Sequence, residues 1–206
     1  MHFTSHAIIL KRIPYGEADQ IVTFFSREEG RLSGIAASAK KSLKRFGGGL
    51  EPGSIVDLMF SRRPSTNLVR LESLHVVQGT ASVLRSLERI EAMAEALELA
   101  LHFVQEGARE EQKFDLLKEY LTLLSHQNPP IEMKARFLYQ WLKFSGYEPP
   151  SHLADAPPPN RRLLSPRSEA EQEREWEQAH QFLLEQIEEI IGKTLRSHGV
   201  FSRLKI

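Results

Sequence analysis

The hydrophobic periodicity of this chain changes once, near residue 80, and that change restricts the fold more than any single motif. Up to Val77 the apolar residues recur at every second position. In Gln20–Ser26, for example, Val22 and Phe24 take one face and Ile21, Thr23 and Phe25 the other. From about Ser82 they recur every three or four, and Leu87, Ile90, Ala94, Leu97, Leu101 and Val104 line one helix face, ending near Gly107. A period of two belongs to strands and a longer one to helices, so a chain that keeps the two apart is α+β with its strands first.

Turn residues cut the strand part into short pieces. Ala7–Ile13 is apolar and β-branched and is broken by Pro14-Tyr15-Gly16. Gln20–Ser26 follows, then a turn at Glu28-Glu29-Gly30 and a third strand over Leu32–Ala37. Pro52-Gly53 precedes Ile55–Phe60, with Val56, Leu58 and Phe60 on one face, and Arg62–Asn67, which contains Pro64, reads as a loop. In the fifth strand the alternation places Val69, Leu71, Ser73, His75 and Val77 on one face. Five short strands with one long internal loop fit a small closed barrel. An OB-fold has this strand number and binds nucleic acid through its loops and one open face; an SH3-like barrel or a small sandwich gives nearly the same pattern. The expectation is an N-terminal five-stranded OB-fold β-barrel over residues 1–79 and an α-helical domain over 80–206.

In the helical part, Phe114, Leu117, Leu121 and Leu124 define a second helix, stopped by Asn128-Pro129-Pro130. Ile131–Ser145 is a third, with Leu138, Trp141 and Leu142 as its apolar face and Gly146 at its end. A proline-dense loop spans residues 149–166. Ser168 and Glu171 have capping-box spacing and open a helix whose stripe is Trp176, His180, Leu183, Ile187 and Ile190. Its acidic start (Glu169, Glu171, Glu173, Glu175) suits the positive end of a helix dipole.

The formal net charge is zero, but the charges are unevenly placed. Residues 1–79 carry eleven Lys and Arg against seven Asp and Glu, leaving sixteen against twenty for the rest. The cations concentrate in S-A-K-K-S-L-K-R-F-G-G-G-L-E-P, residues 38–52, and no acidic residue occurs between Glu29 and Glu51. Lys40, Lys41, Lys44 and Arg45, followed by Phe46 and three glycines, make a basic loop with bare backbone amides, suited to gripping phosphates. A solubilising hairpin tip has the same composition. Arg31, Arg62, Arg63 and Arg70 on neighbouring strands and loops favour a basic stripe. Phe46 and Tyr15 have rings that suit stacking on bases, and equally suit a core or turn anchor.

Catalytic patterns are missing from the sequence. With no cysteine there is no disulfide framework, Cys-ligated zinc, iron–sulfur cluster or thiol nucleophile. The eight histidines are scattered, and His2 and His6 on a strand stand about 13 Å apart. Gly47-Gly48-Gly49 lacks the Lys-Ser/Thr of a P-loop, and G-x-S-x-G is absent. Asp19 and Asp57 are the only aspartates of the strand region, too few for metal-dependent nuclease chemistry beside the loop. The N-terminal apolar run is too short for a secretory signal, and no run of about 18 apolar residues exists. A soluble, cytoplasmic, non-enzymatic protein without metal or cofactor is expected.

Several segments, taken in order, resemble a known family. L-K-R-I-P-Y-G-E-A-D-Q-I-V-T-F-F-S-R-E-E-G-R-L-S-G-I-A from Leu10 and K-S-L-K-R-F-G-G-G-L-E-P from Lys41 are similar to the N-terminal module of the bacterial RecO family. A-R-F-L-Y-Q-W-L-K-F-S-G-Y-E-P from Ala135 resembles that family's helical Arg-Phe…Gly-Tyr-x-Pro segment. The resemblance implies an OB-fold joined to a helical domain. It also implies a nucleoid-associated recombination mediator that binds single- and double-stranded DNA, anneals strands, works with RecR, engages the C-terminal tail of single-strand binding protein and helps load RecA. Carried over by motif position, Lys40, Lys41, Lys44 and Arg45 would touch DNA, with Arg31, Arg70 and Phe46 as further candidates. Arg136 and Lys143, with Phe137 and Trp141 beside them, would meet the acidic partner tail unless the aromatics serve the core. Many members carry a four-cysteine zinc motif where this chain has S-H-L-A-D-A-P-P-P-N-R-R, so no metal is implied. A protein-interaction adaptor with incidental basic charge is the competing reading.

Overall fold

The computed structural model describes residues 2–62, 66–153 and 168–197. Strands β1 (His2–Tyr15), β2 (Asp19–Ser26) and β3 (Gly30–Ala36) form an antiparallel meander. β4 (Ile55–Ser61) and β5 (Val69–Gln78) form a hairpin; β4 pairs with the first half of β1 and β5 meets β3 in parallel, closing the barrel in the order β1-β2-β3-β5-β4. This is the expected OB-fold. β1 is longer than its apolar run because His2–Ile8 pairs with β4 while Ala7–Tyr15 pairs with β2. The register slips between Ile9 and Lys11, where a bulge lets one strand serve both sides of the barrel.

Alternation puts Ala7, Ile9, Val22, Phe24, Leu32, Val56, Leu58 and Phe60 inside, all buried. The fifth strand departs from the expected pattern. Phe60 faces Leu71 but Met59 faces Ser73, so Glu72 is an extra residue and the strand's faces exchange there. Val69 and Leu71 point inward, but beyond Glu72 it is Leu74 that packs on the core, while His75 and Val77 are exposed. Period-two reading cannot detect a bulge, because one inserted residue inverts all that follow.

A one-turn helix α1 (Leu43–Phe46) lies in the long loop between β3 and β4. After β5 come a 3-10 turn (Val83–Arg85), α2 (Leu87–Phe103), α3 (Glu111–His126), α4 (Ile131–Phe144) and α5 (Glu169–Ile191). Two compact units result, Met1–His126 and Gln127–Ile206. Secondary structure changes at residue 79, but packing divides the chain at 126, because α2 and α3 are fastened to the barrel. The Phe114 ring meets Phe25 edge-on at 5.3 Å, and Arg27 donates to both Asp115 oxygens at 3.2 and 3.0 Å. Arg31 Nη1 donates to the Leu101 carbonyl at 3.0 Å, a cation at the negative end of α2.

In the second unit α4 and α5 pack together, burying Phe137, Leu138, Trp141, Trp176, Leu183 and Ile187. The α5 capping box forms as expected: Glu171 N donates to Ser168 Oγ and Ser168 N to Glu171 Oε2. Arg63 and residues 154–167, most of the proline-dense loop, lie outside the described residues. No helix among the described residues is long and apolar enough to cross a membrane.

Candidate nucleic-acid interface

The basic segment is built, not bare. Its main chain is anchored to the β1–β2 turn: Ser38 N donates to Asp19 Oδ1 at 2.7 Å and Lys40 N to the Ala18 carbonyl at 3.1 Å. Ser38 takes a left-handed φ of 55° to make the corner. Lys41 N and Ser42 N both donate to the Ser38 carbonyl at 3.0 Å, and Phe46 N to that of Ser42 at 3.2 Å. These amides, and that of Gly49, which donates to the Phe46 carbonyl at 2.7 Å, are spent on the fold rather than left open to a phosphate.

Phe46 is only 2% exposed and belongs to the barrel core with Leu50. It plugs into that core, and no ring face is left for a base. Gly49 follows at a close approach, where a Cβ would strike the Leu74 side chain and come within 2.7 Å of Val76 Cγ2. Arg45 is also turned inward. Its Nη2 donates to the Ala37 carbonyl at 2.6 Å, its Nε to Ser42 Oγ at 2.9 Å, and its guanidinium lies 4.9 Å over the Phe46 ring. Arg45 and Phe46 thus brace the segment.

The three lysines point outward. Lys40, Lys41 and Lys44 are exposed, and among the described residues none has a carboxylate within ion-pair distance. Lys40 Nζ donates to the Glu17 carbonyl at 3.1 Å, which holds it over the β1–β2 turn while leaving its charge unneutralised. Asp19, the nearby aspartate, is occupied by Ser38 N–H. Among the described residues no group of three or more His, Asp or Glu is placed to share a metal ion.

Other sequence candidates are dispersed. Arg31 serves the end of α2, remote from the lysines at the far end of β3. Arg62 pairs with Glu29 and lies over the Phe3 ring at 5.6 Å. Arg70 is 43% exposed with Glu72 at 3.6 Å, and it stands opposite Ile35 on the barrel's outer face. In the second unit Phe137 and Trp141 are core residues, their rings 5.6 Å apart. Arg136 is half exposed, paired with Glu132 at 2.9 Å and 5.1 Å over the Trp176 ring, and Lys143 is exposed.

Reading strands singly missed one set of residues. Ile13 pairs with Ile21, Ile21 with Ile35, and Ile35 with Arg70, so four strands contribute to one outer row. Lys11 and Tyr15 flank Ile13 on the same face of β1, both exposed. Only the pairing register reveals this, although the apolar identity of each residue was visible.

Comparison with known proteins agrees with this architecture. The family model for the N-terminal part of recombination protein O matches residues 1–80, and that for its C-terminal part matches residues 84–152. The chain is 36% identical over 146 residues to the DNA repair protein RecO of Syntrophotalea carbinolica, covering 71% of this chain and 57% of that one. It is 34% identical over 145 residues to that of Syntrophus aciditrophicus, covering 70% and 56%. With the RecO of Myxococcus xanthus it shares 35% identity over 123 residues, 59% and 50% of the two chains. The chain spans about half the length of the curated relatives it matches. The OB-fold barrel, the helices that follow it in the chain and both domain matches together place this chain in the RecO family of recombination and DNA repair proteins.

Proposed function

We propose that this chain is a non-enzymatic DNA-binding mediator of recombinational repair in the bacterial cytoplasm, working at the nucleoid. The reading is carried by Lys40, Lys41 and Lys44, three exposed cations without carboxylate partners among the described residues, on a segment braced by Arg45 and plugged by Phe46. Such a cluster grips phosphates of single- and double-stranded DNA without reading sequence. Arg70 adds a cation on the outer face; Arg31 and Arg45 act by holding the scaffold.

Membership of the family supports a fuller role: annealing complementary strands and, with RecR, helping RecA replace single-strand binding protein. Arg136 and Lys143 are the cations on α4 that would hold the acidic tail of single-strand binding protein, with Phe137 and Trp141 keeping the helix rigid. An annealing assay on complementary strands coated with single-strand binding protein, with and without RecR, tests this role. Faster annealing that requires Lys40, Lys41 and Lys44 is expected. Annealing at the uncatalysed rate, with no shift of DNA at low salt, would leave the adaptor reading in its place.

A further inference from the structure

We propose that Ser42 is a phosphoryl-acceptor site, and that its phosphorylation switches off the DNA grip of the lysines around it. The inference rests on the DNA-binding reading above and adds a regulatory site to it. Ser42 stands at the centre of the basic segment, with Lys40 and Lys41 before it and Lys44 and Arg45 after it. It lies outside every strand and helix, between β3 and α1, and is half-buried. Its Oγ accepts from Arg45 Nε at 2.9 Å, so a guanidinium already addresses the oxygen to which a phosphoryl group would be joined.

Charge decides what such a group does. A phosphoserine carries about −1.5 to −2 at neutral pH and three strong acceptor oxygens. Among the described residues Lys40, Lys41 and Lys44 have no carboxylate within ion-pair distance. Asp19 and Glu51 are engaged elsewhere, by the Ser38 N–H and by Arg12 at 2.8 Å. A phosphate on Ser42 therefore cancels half or more of the three lysine charges. Arg45 Nη2 donates to the Ala37 carbonyl at 2.6 Å, and a charged phosphate is a stronger acceptor than that neutral oxygen, so it also competes for the brace. The donor is a nucleoside triphosphate, acting through a serine kinase whose substrate groove is acidic enough to receive cations on both sides of the acceptor. Ser42 Oγ attacks the γ-phosphorus. The Oγ–P bond forms, the bond from that phosphorus to the leaving nucleoside diphosphate breaks, and the hydroxyl proton passes to a base of the kinase.

Endoproteinase Glu-C cuts after Glu29 and Glu51 and so releases residues 30–51 as one peptide. Mass spectrometry of that peptide, from the chain isolated from its own cells in growth and after DNA damage, should find phosphate on Ser42. Phosphate in neither sample, or only on Ser33 or Ser38, would overturn the site. The full chain phosphorylated at Ser42 is then compared with the unmodified chain by fluorescence anisotropy, on an oligo-dT 20-mer and a 20-base-pair duplex, from 50 to 200 mM salt. Affinity for both should fall about tenfold or more at 50 mM, with a single-strand salt slope shallower by about 1.4, the equivalent of two lysines. In the Lys40→Ala/Lys41→Ala/Lys44→Ala background the same phosphate should cost much less, because the charges it cancels are gone. Unchanged affinity and slope, or an equal loss in the two backgrounds, would overturn the switch. If the lysine variant loses DNA while the phosphate has no effect, only the switch falls; if the lysine variant binds as wild type, the phosphate-grip reading falls with it.

Discussion

Replacing Phe46 separates a structural ring from a ligand-binding one. The side chain is 2% exposed within the barrel core. A buried aromatic removes about 150–250 Å² from water, worth about 4–6 kcal/mol at 25 cal/mol per Å². Truncation to alanine keeps the Cβ but opens a cavity in the core that Phe46 shares with Leu50, and a loss of about 3–5 kcal/mol is expected. Arg45 also loses the ring beneath its guanidinium, so the lysine segment loosens at the same time. Phe46→Leu refills most of the space and should cost about 1–2 kcal/mol. Urea unfolding followed by circular dichroism reads these losses, and anisotropy with single-stranded DNA reads binding in the folded baseline. The structure predicts Phe46→Leu to unfold earlier yet bind within twofold of wild type. A stacking role predicts the reverse: wild-type unfolding with binding weakened about 5- to 150-fold. That outcome would refute the plug.

Further expectations concern bracing, close packing and pH. Arg45→Ala should weaken DNA binding while leaving its salt slope unchanged, and Arg45→Lys should not restore it, because a lysine's single nitrogen lacks the rigid fork whose Nε and Nη2 reach Ser42 and Ala37 separately. Gly49→Ala should destabilise by about 1–3 kcal/mol in urea unfolding, since its Cβ meets Leu74 and Val76. Hydrogen bonding to Arg27 holds the Asp115 carboxyl below the usual 3.8. That contribution is therefore present above the carboxylate range and lost as pH falls through the lowered value. Asp115→Asn should accordingly flatten the acid limb of a Tm-against-pH series. Burial holds the Tyr120 phenol well above 10.0, so its contribution is complete below that pH and is lost as pH rises through the raised value. Tyr120→Phe should therefore make alkaline unfolding shallower.

The strands were legible because one face of each is buried, and burial writes a period of two: Val56, Leu58 and Phe60 lead directly to β4. The Ser168–Glu171 cap was equally legible, being local. Non-local pairing was not. The extra residue Glu72 inverted the reading of β5, and the first half of β1 owes its strand to β4 rather than to its own pattern. Helix α1 has four residues, too few to show a period. Charge was visible, but its use was not. Arg31 and Arg45 look like free cations in sequence, yet each is claimed by a backbone carbonyl, of Leu101 and of Ala37, which no side-chain pattern can announce. Lys40, Lys41 and Lys44 keep their charges unpaired by carboxylates because nothing acidic lies near them in the chain or, among the described residues, within ion-pair reach in the fold.

The salt dependence of single-strand affinity tests the central claim most directly. Each lysine that neutralises a phosphate adds about 0.7 to the slope of log affinity against log salt on single strands. Wild type should lose roughly tenfold or more between 50 and 200 mM salt, and the Lys40→Ala/Lys41→Ala/Lys44→Ala variant should have a slope shallower by about 2. Tight binding by that variant with an unchanged slope would contradict the account.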